Sequence, residues 1–136
     1  MSALVLDNEA VVALRDPAHR RHGRVLAHLQ AAVGRRRRGD LVRVVVPCAV
    51  RVESGWDRSS PRSAAINRFR VSDVPLDPPH ADAAAAIAVR ERVSVADAHL
   101  GAAVLLAGWR SVVVLTSDPD DMRRVCSPVP VEAVRL

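Results

Sequence analysis

Short, unbroken apolar runs alternate along this chain with longer stretches whose apolar residues recur at helical spacing. The runs Ala3–Leu6, Leu41–Val46 and Ser111–Leu115 read as strands, the second stopped by Pro47. None alternates apolar with polar, the pattern of strands buried on both faces. Between them the spacing predicts helices over Glu9–Leu14, His19–Val33, Val50–Trp56, Pro61–Arg70, Pro78–Arg92, Ser94–Ala107 and Pro119–Val125. The second places Val25, Leu26, Leu29 and Val33 on one face, and the sixth meets Gly108 in the helix-stop position. Val71–Leu76 is expected to be a short strand, and Val129–Val134 a last one whose prolines limit its pairing. Gly34 and Gly39 bracket a basic turn. Strands and helices in this order build βαβ units, hence an α/β fold with a mainly parallel central sheet covered on both faces. A length of 136 residues suits a single domain, residues 1–136, with no internal repeat or linker.

Each of the three convincing strands empties into a carboxylate. Asp7 follows Leu6, Glu53 lies beyond Pro47, and Asp118 follows Thr116 and Ser117. A fourth acid, Asp97, stands at the head of the Ala-rich helix. Parallel α/β sheets bind ligands in the crevice at the carboxyl ends of their strands. Four carboxylates meeting there repel one another unless a cation lies between them, and hard divalent ions prefer such oxygens. Taken singly, each acid also has a structural explanation. Asp7 can cap the first helix, Ser94 to Asp97 has the form of a capping box, and Asp118-Pro119-Asp120-Asp121 is a good helix start. Glu53 fits that explanation least, because Val50 and Val52 place it in a helix that must dock on the sheet, where an unpaired acid is costly.

Composition narrows the chemistry. All 20 basic residues are arginine, and there is neither lysine nor tyrosine. That excludes a lysine-bearing phosphate loop, Schiff-base chemistry and a tyrosine nucleophile. The net charge of +5 suits a polyanionic partner, although a GC-rich genome also enriches arginine. Arg35, Arg36, Arg37 and Arg38 form either a solvated turn or a clamp on RNA phosphates. With two Trp and one Phe, stacking platforms for bases are scarce, so recognition is expected to rest on charge and shape. Cys48 and Cys126 have no partner at zinc spacing and read as buried free thiols. His99 is expected to be a partly exposed helix residue pointing away from Asp97, since positions two apart share no helix face. The opening residues carry no signal-peptide pattern and no apolar run is long enough for a membrane helix, so a cytoplasmic protein is the expectation.

Four segments together carry a family resemblance. They are Leu6-Asp7-Asn8-Glu9-Ala10-Val11-Val12-Ala13-Leu14, Val46-Pro47-Cys48-Ala49-Val50-Arg51-Val52-Glu53, Val95-Ala96-Asp97-Ala98-His99-Leu100-Gly101-Ala102 and Thr116-Ser117-Asp118-Pro119-Asp120-Asp121. In this order they resemble the four acidic blocks of PIN-domain ribonucleases, above all the VapC toxins of bacterial type II toxin–antitoxin modules. The resemblance spans Leu4 to Val134 and implies a three-layer α/β/α domain. It implies that Asp7, Glu53, Asp97 and Asp118 hold Mg²⁺ or Mn²⁺ and carry RNA phosphodiester cleavage, with Thr116 and Asp121 as accessory residues. It further implies a homodimer and an antitoxin partner that presents a basic side chain to the acids, with Ala83–Val89 and Trp56 offering apolar contacts. Two positions depart from the pattern: Asn8-Glu9 replaces small or hydroxyl residues, and Cys48 replaces a small polar one. Glu9 then either adds charge near the site or merely begins the helix. A housekeeping RNA-processing nuclease and a non-catalytic binding domain are the alternatives.

Overall fold

A computed structural model describes all residues, Met1–Leu136. Five strands form one sheet: β1 (Ser2–Leu6), β2 (Val42–Pro47), β3 (Ser72–Val74), β4 (Ser111–Thr116) and β5 (Glu132–Arg135). Their spatial order is β3-β2-β1-β4-β5, and every neighbouring pair is parallel. Six helices connect them: α1 (Asn8–Arg15), α2 (His22–Arg37), α3 (Cys48–Ser54), α4 (Pro78–Glu91), α5 (Val95–Ala107) and α6 (Pro119–Cys126).

The pleat sorts each apolar run between two cores. Leu4, Leu6, Val44, Val46 and Leu115 point to one face and pack with Ala10, Leu14, Val25, Leu29 and Val50 from α1, α2 and α3. Ala3, Val5, Val45, Val112 and Val114 point to the other and meet Ile87, Leu100, Val104, Met122 and Val125 from α4, α5 and α6. Both faces are therefore dry, which is why the strands carry no polar alternation. Chain direction reverses across β1, with β2 on one side and β4 on the other, so the crevice between the ends of β1 and β4 is the topological switch point.

Four expectations are corrected. Pro61–Arg70 is no helix but two single 3₁₀ turns, Pro61–Ser63 and Ile66–Arg68. Side chains there take over backbone groups: Ser63 Oγ donates to the Asp57 carbonyl and Asn67 Nδ2 to that of Arg58. The basic stretch expected as a turn is instead the last turn of α2, because arginine is a good helix former and Gly34 alone costs only about 1 kcal/mol. The chain leaves the helix at Arg38 and turns at Gly39, where φ is +93°. β5 begins at Glu132 rather than Val129, after Pro128 and Pro130, which have no N–H for a ladder. Trp56, expected to be available to a partner, is 2% exposed, its indole N–H donating to Asn67 Oδ1 and its face covered by the Arg58 guanidinium at 4.2 Å.

Gly101 sets the approach of α5 to its neighbours. A Cβ at this position would lie 2.9 Å from the carbonyl carbon of Val125, closer still to its oxygen, and 3.0 Å from Ile87 Cδ1. The obstacle is backbone, which does not swing aside. Gly101→Ala should therefore destabilise the fold by roughly 1–3 kcal/mol despite alanine's helix preference of about 1 kcal/mol. Denaturant unfolding measures this, and an unchanged or raised midpoint would mean that α6 yields at no cost.

Candidate active site

β1 and β4 deliver the two central acids. Asp7 begins where β1 ends and caps α1, its Oδ1 accepting from Asn8 N–H at 2.7 Å. Asp118 caps α6, accepting from Asp121 N–H at 3.3 Å. Asp97 enters from α5, whose first turn is fixed by Ser94 Oγ accepting from Asp97 N–H at 3.1 Å. Glu53 enters from α3. The caps expected from the sequence at Asp7, Ser94 and Asp118 are thus present, and the same neighbourhood brings Asp7, Glu53 and Asp118 close enough for their charges to act on Asp97, so capping and a shared acidic site do not compete.

Asp97 reports the convergence most directly. Burial raises its carboxyl, and the charges of Asp7, Glu53 and Asp118 raise it further, to about 6. Asp7 is likewise held above the usual carboxylate range, chiefly by burial and then by Asp118 and Glu9, against the lowering effect of its hydrogen bonds. Asp7 is 6% exposed, while Glu53 and Asp118 stand at the rim in solvent. Glu53 does not lie near the core as its apolar neighbours suggest: Val52 beside it is 82% exposed, and α3 docks through Val50 instead.

Thr116 braces the pair at the switch point. It is fully buried, donates from Oγ1 to Asp7 Oδ2 at 2.8 Å and accepts from Asp118 N–H at 3.0 Å. One hydroxyl therefore fixes a carboxylate from β1 and the backbone that presents the acid after β4. Asp121 is less directly engaged with the cleft, since its carboxylate pairs with Arg124 one turn along α6. Glu9 sits in the first turn of α1, where Arg21 holds it at 2.9 Å and His19 faces it at 3.5 Å. It begins the helix and also adds a small upward push on Asp7.

His99 was misplaced by the sequence argument. It is completely buried, and its Nδ1 accepts from Ala49 N–H at 3.3 Å while Nε2 meets the Pro75 carbonyl at 3.2 Å. Burial lowers its pKa, so the ring is neutral with its proton on Nε2. It ties α5, which carries Asp97, to the first turn of α3, which carries Glu53. The signal for this lay in α5 as a whole, whose residues from Ala96 to Val104 are almost all buried, so that no face was left for an exposed histidine. Both cysteines are free; Cys126 is buried as expected, its thiol pushed up to about 12 by burial, whereas Cys48 is only half-buried at the start of α3.

The donors suit a hard cation. All four are carboxylates, and no three close into a cage around one point. An ion held here would keep several of its waters, as Mg²⁺ commonly does, and be held through few carboxylates, Asp7 and Asp97 first among them. Asn8 Oδ1, buried next to Asp7, lacks any hydrogen-bond donor, and water of a hydrated ion would supply one. Arg35 to Arg38 are not brought to this cleft. Arg36 Nε donates to the carbonyl of Val42, the first residue of β2, which places the run at the amino-terminal edge of the sheet, opposite the acids.

No protein-family model matches the chain, and no curated protein sequence matches it. Solved structures do match over nearly its whole length. VapBC2 from Rickettsia felis, bound to a DNA fragment from their promoter, aligns at a TM-score of 0.64 and 9% identity, covering 97% of this chain and 98% of that one. FitAB bound to an IR36 DNA fragment aligns at 0.57 and 18%, covering 96% and 94%. PAE2754 from Pyrobaculum aerophilum aligns at 0.50 and 18%, covering 96% and 92%. Likeness at such identities is a likeness of fold, and the fold is the PIN-like one.

Proposed function

We propose that this chain is a Mg²⁺- or Mn²⁺-dependent endoribonuclease and the toxin of a toxin–antitoxin pair, acting as a homodimer. The observation that carries the proposal is the meeting at Asp97 of three other acids, Asp7, Glu53 and Asp118, which arrive from β1, α3 and the end of β4; the Asp97 carboxyl is raised first by burial and then by their charges. Such mutual repulsion is tolerated where a cation relieves it. When bound, the ion would lower the pKa of a water and neutralise charge developing on the phosphoryl oxygens. The chain's own residues divide the remaining work. Asp7 and Asp97 are the buried and half-buried ligands, held in place by Thr116 and by the first turn of α5. Glu53 and Asp118, exposed at the rim, complete the negative field while leaving room for a phosphate. An antitoxin partner is supported by the VapBC2 and FitAB structures, each a named complex on DNA.

Purified protein should cleave RNA with Mg²⁺ or Mn²⁺ and not in EDTA, and its expression should arrest growth unless the adjacent small open reading frame is co-expressed. Cleavage without growth arrest would leave a housekeeping nuclease. Metal-dependent cleavage absent under both ions would leave a binding domain and sink the enzyme.

A further inference from the structure

Helix α2 opens at the acid edge of the sheet and closes at the opposite one. Arg21, just before it, pairs with Glu9, and His22 meets the Ala13 carbonyl at 2.9 Å. Sixteen residues later its last arginines stand roughly 24 Å away along the helix axis. Two different arginines lie at the edge of the sheet where Asp118 is presented. β5 runs parallel to β4 with Arg135 in register with Thr116. Arg135 donates from its guanidinium to the Ser117 carbonyl at 3.2 Å, between Thr116 and Asp118, and Arg24 donates to the Arg135 carbonyl at 3.4 Å.

Both side chains are exposed and neither has a carboxylate partner. Seven of the 20 arginines have a carboxylate partner, among them Arg51 and Arg58 with Asp73, Arg123 with Asp120 and Arg124 with Asp121; Arg24 and Arg135 are set apart from the remaining unpaired ones by their place beside Ser117. Arg24 and Arg135 each spend one N–H on a carbonyl and keep the rest of a five-donor fork free. We propose that Arg24 and Arg135 are the phosphate-binding arm of the substrate cleft, holding the RNA backbone on the β5 side of the acids. This rests on the nuclease reading and names how its substrate is held. A cleft of four carboxylates repels a polyanion, so the strand needs an uncompensated positive contact next to it. Arg135, tied to the Ser117 carbonyl just before Asp118, and Arg24, tied in turn to the Arg135 carbonyl, supply that contact with the planar geometry suited to phosphate oxygens.

The test separates binding from cleavage by using Asp97→Asn as the background and fluorescence anisotropy with a labelled single-stranded RNA over a range of salt. Arg24→Gln and Arg135→Gln should each flatten the slope of log affinity against log salt by about 0.7, with Arg→Lys at either position restoring it. Replacing Arg36 and Arg37 by Gln should leave the slope as it was. In the active chain, Arg24→Gln should raise KM several-fold with kcat held within about twofold. An unchanged slope in the Arg24→Gln/Arg135→Gln double variant, with RNA still bound, overturns this inference and leaves the nuclease standing. Loss of antitoxin binding alone, with RNA affinity intact, overturns it too and assigns the arginines to a protein contact. A background chain that binds no RNA, together with absent metal-dependent cleavage by the intact chain, overturns both.

Discussion

Asp97→Asn should abolish metal-dependent cleavage and, without metal, make the protein more stable near neutral pH. The two effects have one origin. The Asp97 carboxyl titrates near 6 in the folded chain against an ordinary value of 3.8. Below the ordinary value both folded and unfolded chains hold the proton and nothing distinguishes them. As pH rises from there toward 6 the unfolded chain loses its proton first, and folding stability falls. Above that window the whole penalty is present, so the wild-type protein carries at neutral pH a strain that Asn lacks. Because Asp97 is half-buried and solvent screens its neighbours, the gain is about 1–2 kcal/mol, net of the favourable interaction a carboxylate makes with the first turn of α5. Melting in EDTA near neutral pH should then show a rise of several degrees that disappears near pH 4. Adding Mg²⁺ should stabilise the wild-type chain and leave the variant where it was. Loss of several kcal/mol of charge stabilisation should lower cleavage by at least about a hundredfold. A variant that melts lower at neutral pH and still cleaves would mean that Asp97 serves α5 and nothing else.

Residues whose role depends on neighbours in the chain were legible, and those whose role depends on neighbours in space were not. The strands could be read because a parallel strand buried on both faces is an unbroken apolar run, as Val112 to Leu115 shows. Asp7 and Asp118 could be placed because each follows such a run, and their caps could be read because a cap is local. Glu53 was assigned to the cleft for the wrong reason: its neighbours Val50 and Val52 are both apolar, but only Val50 is buried. His99 was lost because positions two apart tell which residues share a helix face but not how many faces are buried. Arg24 and Arg135 lie 111 positions apart, and only the register of β5 on β4 brings the second to Ser117. The run Arg35–Arg38 drew attention by being contiguous, whereas α2 carries it to the far edge of the sheet.

The second large effect is expected at Thr116, where Val keeps the shape and removes the hydroxyl. Asp7, 6% exposed, then loses its donor at Oδ2, and Asp118 N–H loses its acceptor. Leaving such groups without partners costs about 1–3 kcal/mol each when they are buried. Asp118 is exposed and water can repair much of its share, so the total should be roughly 2–3 kcal/mol near neutral pH. The sign of the pH dependence follows from Asp7. Its folded carboxyl is already above 3.8 because of burial, and the Thr116 hydrogen bond is one of the forces holding it down. Removing that bond raises it further, so the added destabilisation grows as pH climbs from the wild-type folded value through the new folded one, the unfolded titration being common to both chains. Once pH falls below the raised folded value, Asp7 keeps its proton in both chains and the variant should approach the wild type, short of the Asp118 share. Cleavage should fall about 10–100-fold, the range for losing a partner that orients a metal ligand. Thr116→Ser keeps the hydroxyl and should recover most of both stability and activity. Equal melting temperatures for Thr116→Val and wild type at neutral pH would mean that water replaces the hydroxyl beside Asp7, and that the cleft is wetter than the fully buried Thr116 side chain indicates.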